Sequence, residues 1–180
     1  MFGTAKGSTG LWTWGCNDAC ALGRKTDPKK DTEQIYPALV PFFNDKMLMS
    51  LSAGDNHMSA LDNTGTVYTW GCYRDADGPL GFAKDSDKQL DPTPVTLPCK
   101  AVEVVSGENA TLALGNNGVV YKWGAVRLNQ RTSARNKKKY LEPSPVSSTV
   151  RFDRVFSGGM HFFATRKGEL YSWGMNNFGQ

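Results

Sequence analysis

Hydrophobic residues in this chain occur in short runs of about four to six residues, separated by Gly, Asn and Asp. Such runs predict strands rather than helices, and no window shows a sustained helical stripe. The segments 62–65 and 115–118, which read Asp-Asn-Thr-Gly and Gly-Asn-Asn-Gly, are typical of the turns in antiparallel hairpins. The predicted strands are Met47–Ser52, Met58–Leu61, Thr66–Trp70, Val102–Ser106, Thr111–Leu114, Val119–Trp123, Arg154–Ser157, Phe162–Thr165 and Glu169–Trp173.

A motif of an aromatic residue, any residue, Trp and Gly occurs four times, and its glycines are 56, 53 and 50 residues apart. A second motif, in which Ser and Gly precede polar residues, recurs in the same phase at 52–57, 106–110 and 157–161. A fixed period with an aromatic-Gly signature predicts an all-β propeller of repeated blades. We interpret the corners as architecture rather than as a binding site; they are Trp14-Gly15, Trp70-Gly71, Trp123-Gly124 and Trp173-Gly174.

The length of 180 residues accommodates about three and a half blades of this period, which is too few to close a ring. We therefore expect a partial propeller over residues 11–180, preceded by a lead at 1–10 that carries no assignment. The last motif stops inside its corner, at Gln180. A fragment or an incomplete gene model is the expectation that follows.

The composition is that of a soluble globular protein, with 39% hydrophobic and 21% charged residues. The net charge of +4 has a local origin, because one stretch holds six basic residues and no acid. This stretch is either a solvated loop or a contact for phosphates or for an acidic protein face. Its basic residues are Arg127, Arg131, Arg135, Lys137, Lys138 and Lys139.

No group of residues predicts covalent chemistry, a metal site or a cofactor, and we expect neither an enzyme nor a small-molecule substrate. His57 and His161 share one repeat position, which favours a recurring hydrogen-bonded turn over metal ligation. No apolar run reaches membrane-spanning length. We expect four reduced, mostly packed cysteines, because repeat-related positions are too far apart to pair; they are Cys16, Cys20, Cys72 and Cys99.

The repeat resembles that of the regulator of chromosome condensation family, whose members are seven-bladed propellers. The segment 14–23, a Trp-Gly corner followed shortly by Leu-Gly, resembles the family signature, as does Ser-Ala-Gly-Asp-Asn-His at 52–57. The resemblance extends from about Gly10 to Gln180. It implies that the predicted partial ring is part of a propeller of this type.

A narrower resemblance is to the founding member of that family, the chromatin-bound guanine nucleotide exchange factor for the small GTPase Ran. It rests on Arg-Asp-x-x-Gly at 74–78, on Asn-Asp at 17–18 and on Val-Arg-Phe-Asp at 150–153. The resemblance implies a wedge that presses on the GTPase, with the residues Tyr73, Arg74, Asp75, Asp77 and Gly78. It also implies an exchange-critical acid at Asp55. In the next blade the family's aspartate position falls on Asn109, with Glu108 one residue earlier.

The same resemblance places the basic stretch where the exchange factor has an arginine-bearing loop that meets histones. It implies that the protein is nuclear and associated with chromatin. The implied partners are Ran, histones in the nucleosome and DNA phosphates, and no membrane partner is implied. Nucleotide exchange on Ran is the first functional hypothesis. A non-catalytic propeller scaffold for protein or chromatin contacts is the second, and a decayed gene fragment is the third.

Overall fold

The computed structural model describes residues 2–3, 10–27, 29–30, 32–75, 78–83, 85–125, 140–176 and 179. In this part of the chain, strands form four successive antiparallel sheets and one small hairpin. The first sheet contains β1 (Phe2–Gly3), β2 (Leu11–Thr13) and β3 (Ala38–Val40), in that order. A helix of one turn, α1 (Thr32–Ile35), and a 3-10 turn at Pro41–Phe43 flank β3.

The second sheet is made of β4 (Leu48–Ala53), β5 (His57–Asp62), β6 (Val67–Gly71) and β9 (Gln89–Pro94), in that order. Between β6 and β9 the chain forms a separate hairpin of β7 (Tyr73–Asp75) and β8 (Gly78–Gly81). The third sheet is made of β10 (Ala101–Ser106), β11 (Ala110–Gly115), β12 (Val120–Gly124) and β13 (Ser144–Pro145). The fourth is made of β14 (Arg154–Ser157), β15 (His161–Arg166) and β16 (Glu169–Gly174).

The nine strands predicted from sequence are confirmed, with no boundary shifted by more than one residue. The turns explain why the strands end where they do. Asp62 Oδ1 accepts hydrogen bonds from the amides of Thr64 and Thr66, both at 2.9 Å, and this reverses the chain between β5 and β6. The strands β5 and β11 are buried at all six positions, as expected of strands covered on both faces.

The fourth strand of each complete sheet was not predicted. β9 contains Pro92 and Pro94, and β13 ends in Pro145. Proline removes a backbone donor and argues against a central strand, but an edge strand tolerates it because one side has no partner. Both β9 and β13 lie at the edge of their sheets, so the prolines are compatible with the sheets that contain them.

Hydrophobic side chains between neighbouring sheets form the core. Trp70 is fully buried and packs with Phe43 between the first two sheets, and its indole N–H donates to the carbonyl of Ala21 at 2.9 Å. The interpretation of the Trp-Gly corners as architecture is therefore confirmed at Trp70. Removing such a side chain costs about 3–5 kcal/mol of stability.

The corner glycines meet two requirements that other residues do not. Gly71 and Gly124 have φ of 95° and 87°, a region that side chains with a Cβ rarely adopt. A Cβ on Gly124 would also lie 2.5 Å from the carbonyl oxygen of Asn109. A Cβ on Gly71 would collide with the carbonyl oxygen of Asn56. The corner and the preceding loop therefore lie against each other in the second and third sheets.

Candidate functional site

Two loops that carry acids lie side by side at one end of adjacent sheets. One loop joins β4 to β5 and contains Asp55, and the other joins β10 to β11 and contains Glu108. The amide of Asp55 donates to the carbonyl of Glu108 at 2.9 Å, and the amide of Glu108 donates to the carbonyl of Gly159 at 2.6 Å. Equivalent positions of three successive sheets are thus joined by backbone hydrogen bonds, and we name this the acid-loop end.

The strand register identifies Glu108 as the equivalent of Asp55. His57 pairs with Gly71 in the second sheet, and Ala110 pairs with Gly124 in the third. Counting back from these pairs makes Asn109 the equivalent of Asn56. In agreement, the carbonyls of Asn56 and Asn109 accept from Cys72 and Ala125 at 2.8 and 2.7 Å.

The two acids differ from Asn109 in their access to solvent. Asp55 is exposed and Glu108 is partly exposed, whereas Asn109 is buried with 6% exposure. The Asn109 side-chain oxygen has no hydrogen-bond partner among the described residues. A Cβ built on Gly159 would lie 3.9 Å from a Glu108 carboxylate oxygen, so this carboxylate extends over the next sheet. A partner at the acid-loop end could meet Asp55 and Glu108 but could not reach the Asn109 side chain.

The β7–β8 hairpin begins at the same end. Its first residue follows Cys72, whose amide donates to the carbonyl of Asn56 beside Asp55. Arg74 pairs with Pro79 and Asp75 pairs with Gly78 in the hairpin register. Arg74 is exposed, and Asp75 and Gly78 are partly exposed. Asp77, which the resemblance also assigns to the wedge, lies outside the described residues.

Tyr73 has a different position from the rest of the predicted wedge. Its side chain is 1% exposed and its hydroxyl lies 3.1 Å from Thr111 Oγ1 in the third sheet. Burial raises the pKa of its hydroxyl, so the group stays protonated. Strand alternation explains the difference, because consecutive residues of β7 face opposite sides, with Tyr73 inward and Arg74 outward. Tyr73 anchors the hairpin at its base.

His57 is buried at 1% exposure, with Nε2 at 2.9 Å from Thr111 Oγ1. Desolvation lowers the pKa of its ring to about 3, so the ring is neutral at physiological pH. The recurring hydrogen-bonded turn expected at this repeat position is present, since the amides of Gly54 and Gly158 donate to the carbonyls of His57 and His161 at 2.9 and 2.8 Å. His161, at the same repeat position in β15, is partly exposed.

The buried His57 ring predicts that stability falls on mild acidification. The pKa of His57 drops from 6.5 in the unfolded chain to about 3 in the folded protein. Between pH 6.5 and about pH 3, the unfolded chain therefore binds a proton at His57 that the folded protein does not bind. Its contribution is complete above pH 6.5 and is lost as the pH falls towards 3. We expect the free energy of unfolding in urea to fall by about 1.5 kcal/mol more in the wild type than in His57→Gln between pH 6.5 and about pH 5. A wild-type loss equal to that of His57→Gln would contradict this, with His161→Gln as the matched control.

The predicted basic stretch, Arg127 to Lys139, lies outside the described residues. The described residue closest before it is Ala125, which is bonded to Asn109 at the acid-loop end, and the described chain resumes at Tyr140. The roles of Arg127, Arg131, Arg135, Lys137, Lys138 and Lys139 stay predictions.

Three further features of the described part of the chain concern the predictions from sequence. Within it, no group of three or more His, Cys, Asp or Glu side chains is placed to hold a metal ion. None of its helices has the length and apolar character needed to cross a membrane. All four cysteines are described and free; Cys72 is buried, Cys20 and Cys99 are partly buried, and Cys16, which was expected to be packed, is exposed. The acid-loop end brings together two accessible carboxylates and the β7–β8 hairpin.

Comparisons with known proteins agree with the repeat pattern. The family model described as "Regulator of chromosome condensation (RCC1) repeat" matches residues 10–61 and 64–114. Guanine nucleotide exchange factor SRM1 of Saccharomyces cerevisiae is 33% identical, over 94% of this chain and 42% of SRM1. The regulator of chromosome condensation of Mus musculus is 30% identical, over 94% of this chain and 44% of the mouse protein.

A solved structure shows the same architecture. The crystal structure of Prp20p from Saccharomyces cerevisiae, reported with its binding to Gsp1p and histones, matches with a TM-score of 0.83 and 34% identity. The match covers 96% of this chain and 42% of Prp20p, so the chain spans less than half the length of these relatives. The predicted fold, an all-β partial propeller of this family's type, is confirmed.

Proposed function

Since this chain belongs to the regulator of chromosome condensation repeat family, we propose that it contributes to a guanine nucleotide exchange factor for the small GTPase Ran. One observation supports the proposal most: Asp55, Glu108 and the β7–β8 hairpin all lie at the acid-loop end of two adjacent sheets. A single partner docked there can meet both carboxylates and the hairpin tip. The exchange activity named in SRM1 supports the same function.

The proposed mechanism is differential binding without covalent chemistry. An exchange factor accelerates GDP release when it binds the nucleotide-free GTPase more tightly than either nucleotide-bound state. In the proposal, the hairpin inserts beside the nucleotide site, and Arg74, Asp75 and Gly78 contact the GTPase together with Asp77. The carboxylates of Asp55 and Glu108 then compete for positively charged groups that hold the phosphates. No cofactor or small-molecule substrate takes part.

A matched pair of substitutions tests which residue of the third blade acts. We expect Glu108→Ala to slow GDP release from Ran about tenfold in the complete protein, because an accessible charge-assisted contact is lost. We expect Asn109→Ala to lower stability while the release rate stays within about twofold, since the Asn109 side chain is buried. Fluorescent-GDP release and urea unfolding measure the two effects. If GDP release is slowed in Asn109→Ala and not in Glu108→Ala, then Asn109 rather than Glu108 is the residue that acts in exchange.

Chromatin contact is the second part of the proposal. The structure of Prp20p was reported together with its binding to histones, which supports a histone or nucleosome partner here. We propose that the stretch from Arg127 to Lys139 binds an acidic histone face or DNA phosphates, and that the complete protein is nuclear. A scaffold role would use the same surfaces without accelerating GDP release.

The basic stretch predicts salt-sensitive nucleosome binding. Replacing Arg131, Arg135 and Lys137 by Ala in the complete protein should weaken nucleosome binding and flatten its dependence on salt, because fewer counterions are released. GDP release from free Ran should stay nearly unchanged. Gel-shift titrations at several salt concentrations measure this. Unchanged nucleosome affinity would show that the stretch is a solvated loop.

A binding experiment tests the exchange proposal directly. Immobilised complete protein is titrated with Ran that is either loaded with GDP and magnesium or stripped of nucleotide by a chelator. We expect at least tenfold tighter binding of stripped Ran, because stabilisation of that state is what accelerates release. Equal affinity for both forms would favour the scaffold.

A further inference from the structure

A chain of buried hydroxyl groups joins the second and third sheets directly beneath the acid-loop end. We propose that Thr111, at its centre, is a positioning residue that holds the β7–β8 hairpin and the Asp55 loop in one fixed arrangement. The proposal rests on the proposed exchange function, since it assigns Thr111 an effect on that activity. Thr111 itself is fully buried, so its effect on the GTPase would pass through the residues that it holds.

Thr111 is the meeting point of three polar side chains. Its hydroxyl oxygen lies 2.9 Å from His57 Nε2, 3.1 Å from the Tyr73 hydroxyl and 3.2 Å from the Ser106 hydroxyl. Ser106 in turn lies 2.8 Å from the hydroxyl of Ser59. His57, Tyr73 and Ser59 belong to the second blade, and Thr111 and Ser106 to the third. We name these five residues the hydroxyl chain.

The absence of a hydrogen-bond partner at Nδ1 indicates which ring nitrogen of His57 carries the proton. Nδ1 is buried and has no hydrogen-bond partner among the described residues. If Nδ1 carried the proton, a buried N–H would be unsatisfied, and this is rarer in proteins than an unsatisfied acceptor. The neutral ring therefore carries its proton on Nε2 and donates it to Thr111.

A threonine hydroxyl accepts two hydrogen bonds and donates one, so Thr111 can satisfy all three of its contacts. It accepts from His57, and of the Tyr73 and Ser106 hydroxyls it accepts from one and donates to the other. The Ser106 and Ser59 hydroxyls form one hydrogen bond across their 2.8 Å contact, and the Ser59 hydroxyl also lies 3.3 Å from the carbonyl of Ser52.

These contacts connect two parts of the proposed site. The His57 ring packs against Gly54, so close that a Cβ at Gly54 would collide with it, and Gly54 immediately precedes Asp55. The Tyr73 ring lies between His57 and Phe82, with centroids 4.3 and 6.4 Å away, and so connects both ends of the hairpin to His57. Thr111 bonds His57 and Tyr73 together and thereby fixes the Asp55 loop relative to the hairpin.

Substitutions of Thr111 in the complete protein test this role. Thr111→Val keeps the shape and removes the hydroxyl, whereas Thr111→Ser restores it. We expect Thr111→Val to lower kcat for GDP release from Ran about tenfold with little change in KM, because the contacts remain but are misaligned. Thr111→Ser should recover most of the rate. Thr13→Val is the matched control, since Thr13 is equally buried and hydrogen-bonded but lies in the first sheet.

Two readouts do not depend on exchange activity. Amide hydrogen exchange should show lost protection in the β7–β8 hairpin in Thr111→Val but not in Thr13→Val. Nitrogen NMR of wild-type protein should show His57 protonated on Nε2. Tyr73→Phe, which removes one donor and keeps the ring, replaces Thr111→Val if that variant does not fold.

Retained hairpin protection and wild-type kcat in the hydroxyl-deleted variant would overturn the positioning role. A proton on Nδ1 would overturn the assigned hydrogen-bond directions. If the wild-type protein does not release GDP from Ran, the proposed function fails by itself, and hydrogen exchange and NMR still decide the role of Thr111.

Discussion

Replacing Asp55 by alanine in the complete protein should slow GDP release from Ran at least tenfold. Asp55 is exposed at the acid-loop end, where the hairpin also begins, and its carboxylate accepts a hydrogen bond from the Asn56 side chain at 2.6 Å. Losing one charge-assisted contact costs roughly 1.5–3 kcal/mol, which is about 10- to 100-fold in rate when the contact belongs to the transition state. Fluorescent-GDP release under single-turnover conditions measures the effect.

The Asp55 experiment has an internal control. Asp45 is another exposed aspartate, located between the 3-10 turn and β4, so Asp45→Ala removes the same charge elsewhere. We expect that variant to release GDP at the wild-type rate. Circular dichroism should show both variants folded, because neither carboxylate is buried. A wild-type rate in Asp55→Ala would remove the acid from the mechanism.

Deleting residues 76–78 should have an effect of similar or greater size. The deletion removes the hairpin tip and leaves its base, where Tyr73 is buried, in place. In the proposed mechanism the hairpin inserts only into the nucleotide-free GTPase. The shape of the hairpin is then needed to stabilise that state and so to accelerate GDP release. We expect at least tenfold slower GDP release with unchanged circular dichroism.

A second variant separates the shape of the hairpin from its charge. Replacing 76–78 by three glycines keeps the length and removes the Asp77 carboxylate. If shape dominates, this variant should release GDP faster than the deletion variant. Wild-type release by the deletion variant would contradict a wedge function and leave the scaffold as the better account.

The parts of the fold that the sequence predicted are those that depend on local signals. The Trp-Gly corners and the Asn-Gly turns each lie within a few residues of the strands that they end, so nine strands could be predicted. β9 and β13 could not, because their prolines are acceptable only at a sheet edge, and edge position is a property of the whole sheet.

The site was predicted less completely, because it depends on the strand register and on which side chains are buried. The family resemblance placed the third-blade acid position on Asn109, whereas the Gly-acid-Asn order at 54–56 and 107–109, together with the pairing of Ala110 with Gly124, makes Glu108 the equivalent of Asp55. Tyr73 stands in a charged segment and was grouped with the wedge, although strand alternation turns it inward. Thr111 could not be recognised at all, since its partners are 54 and 38 residues away.

The most direct measurement is GDP release from Ran itself. Ran loaded with fluorescent GDP is mixed with excess unlabelled GDP and increasing amounts of the complete wild-type protein. The account predicts that release accelerates with protein concentration and saturates, as expected of a catalyst that binds the nucleotide-free intermediate. Release that stays at the intrinsic rate of Ran at every concentration would contradict it.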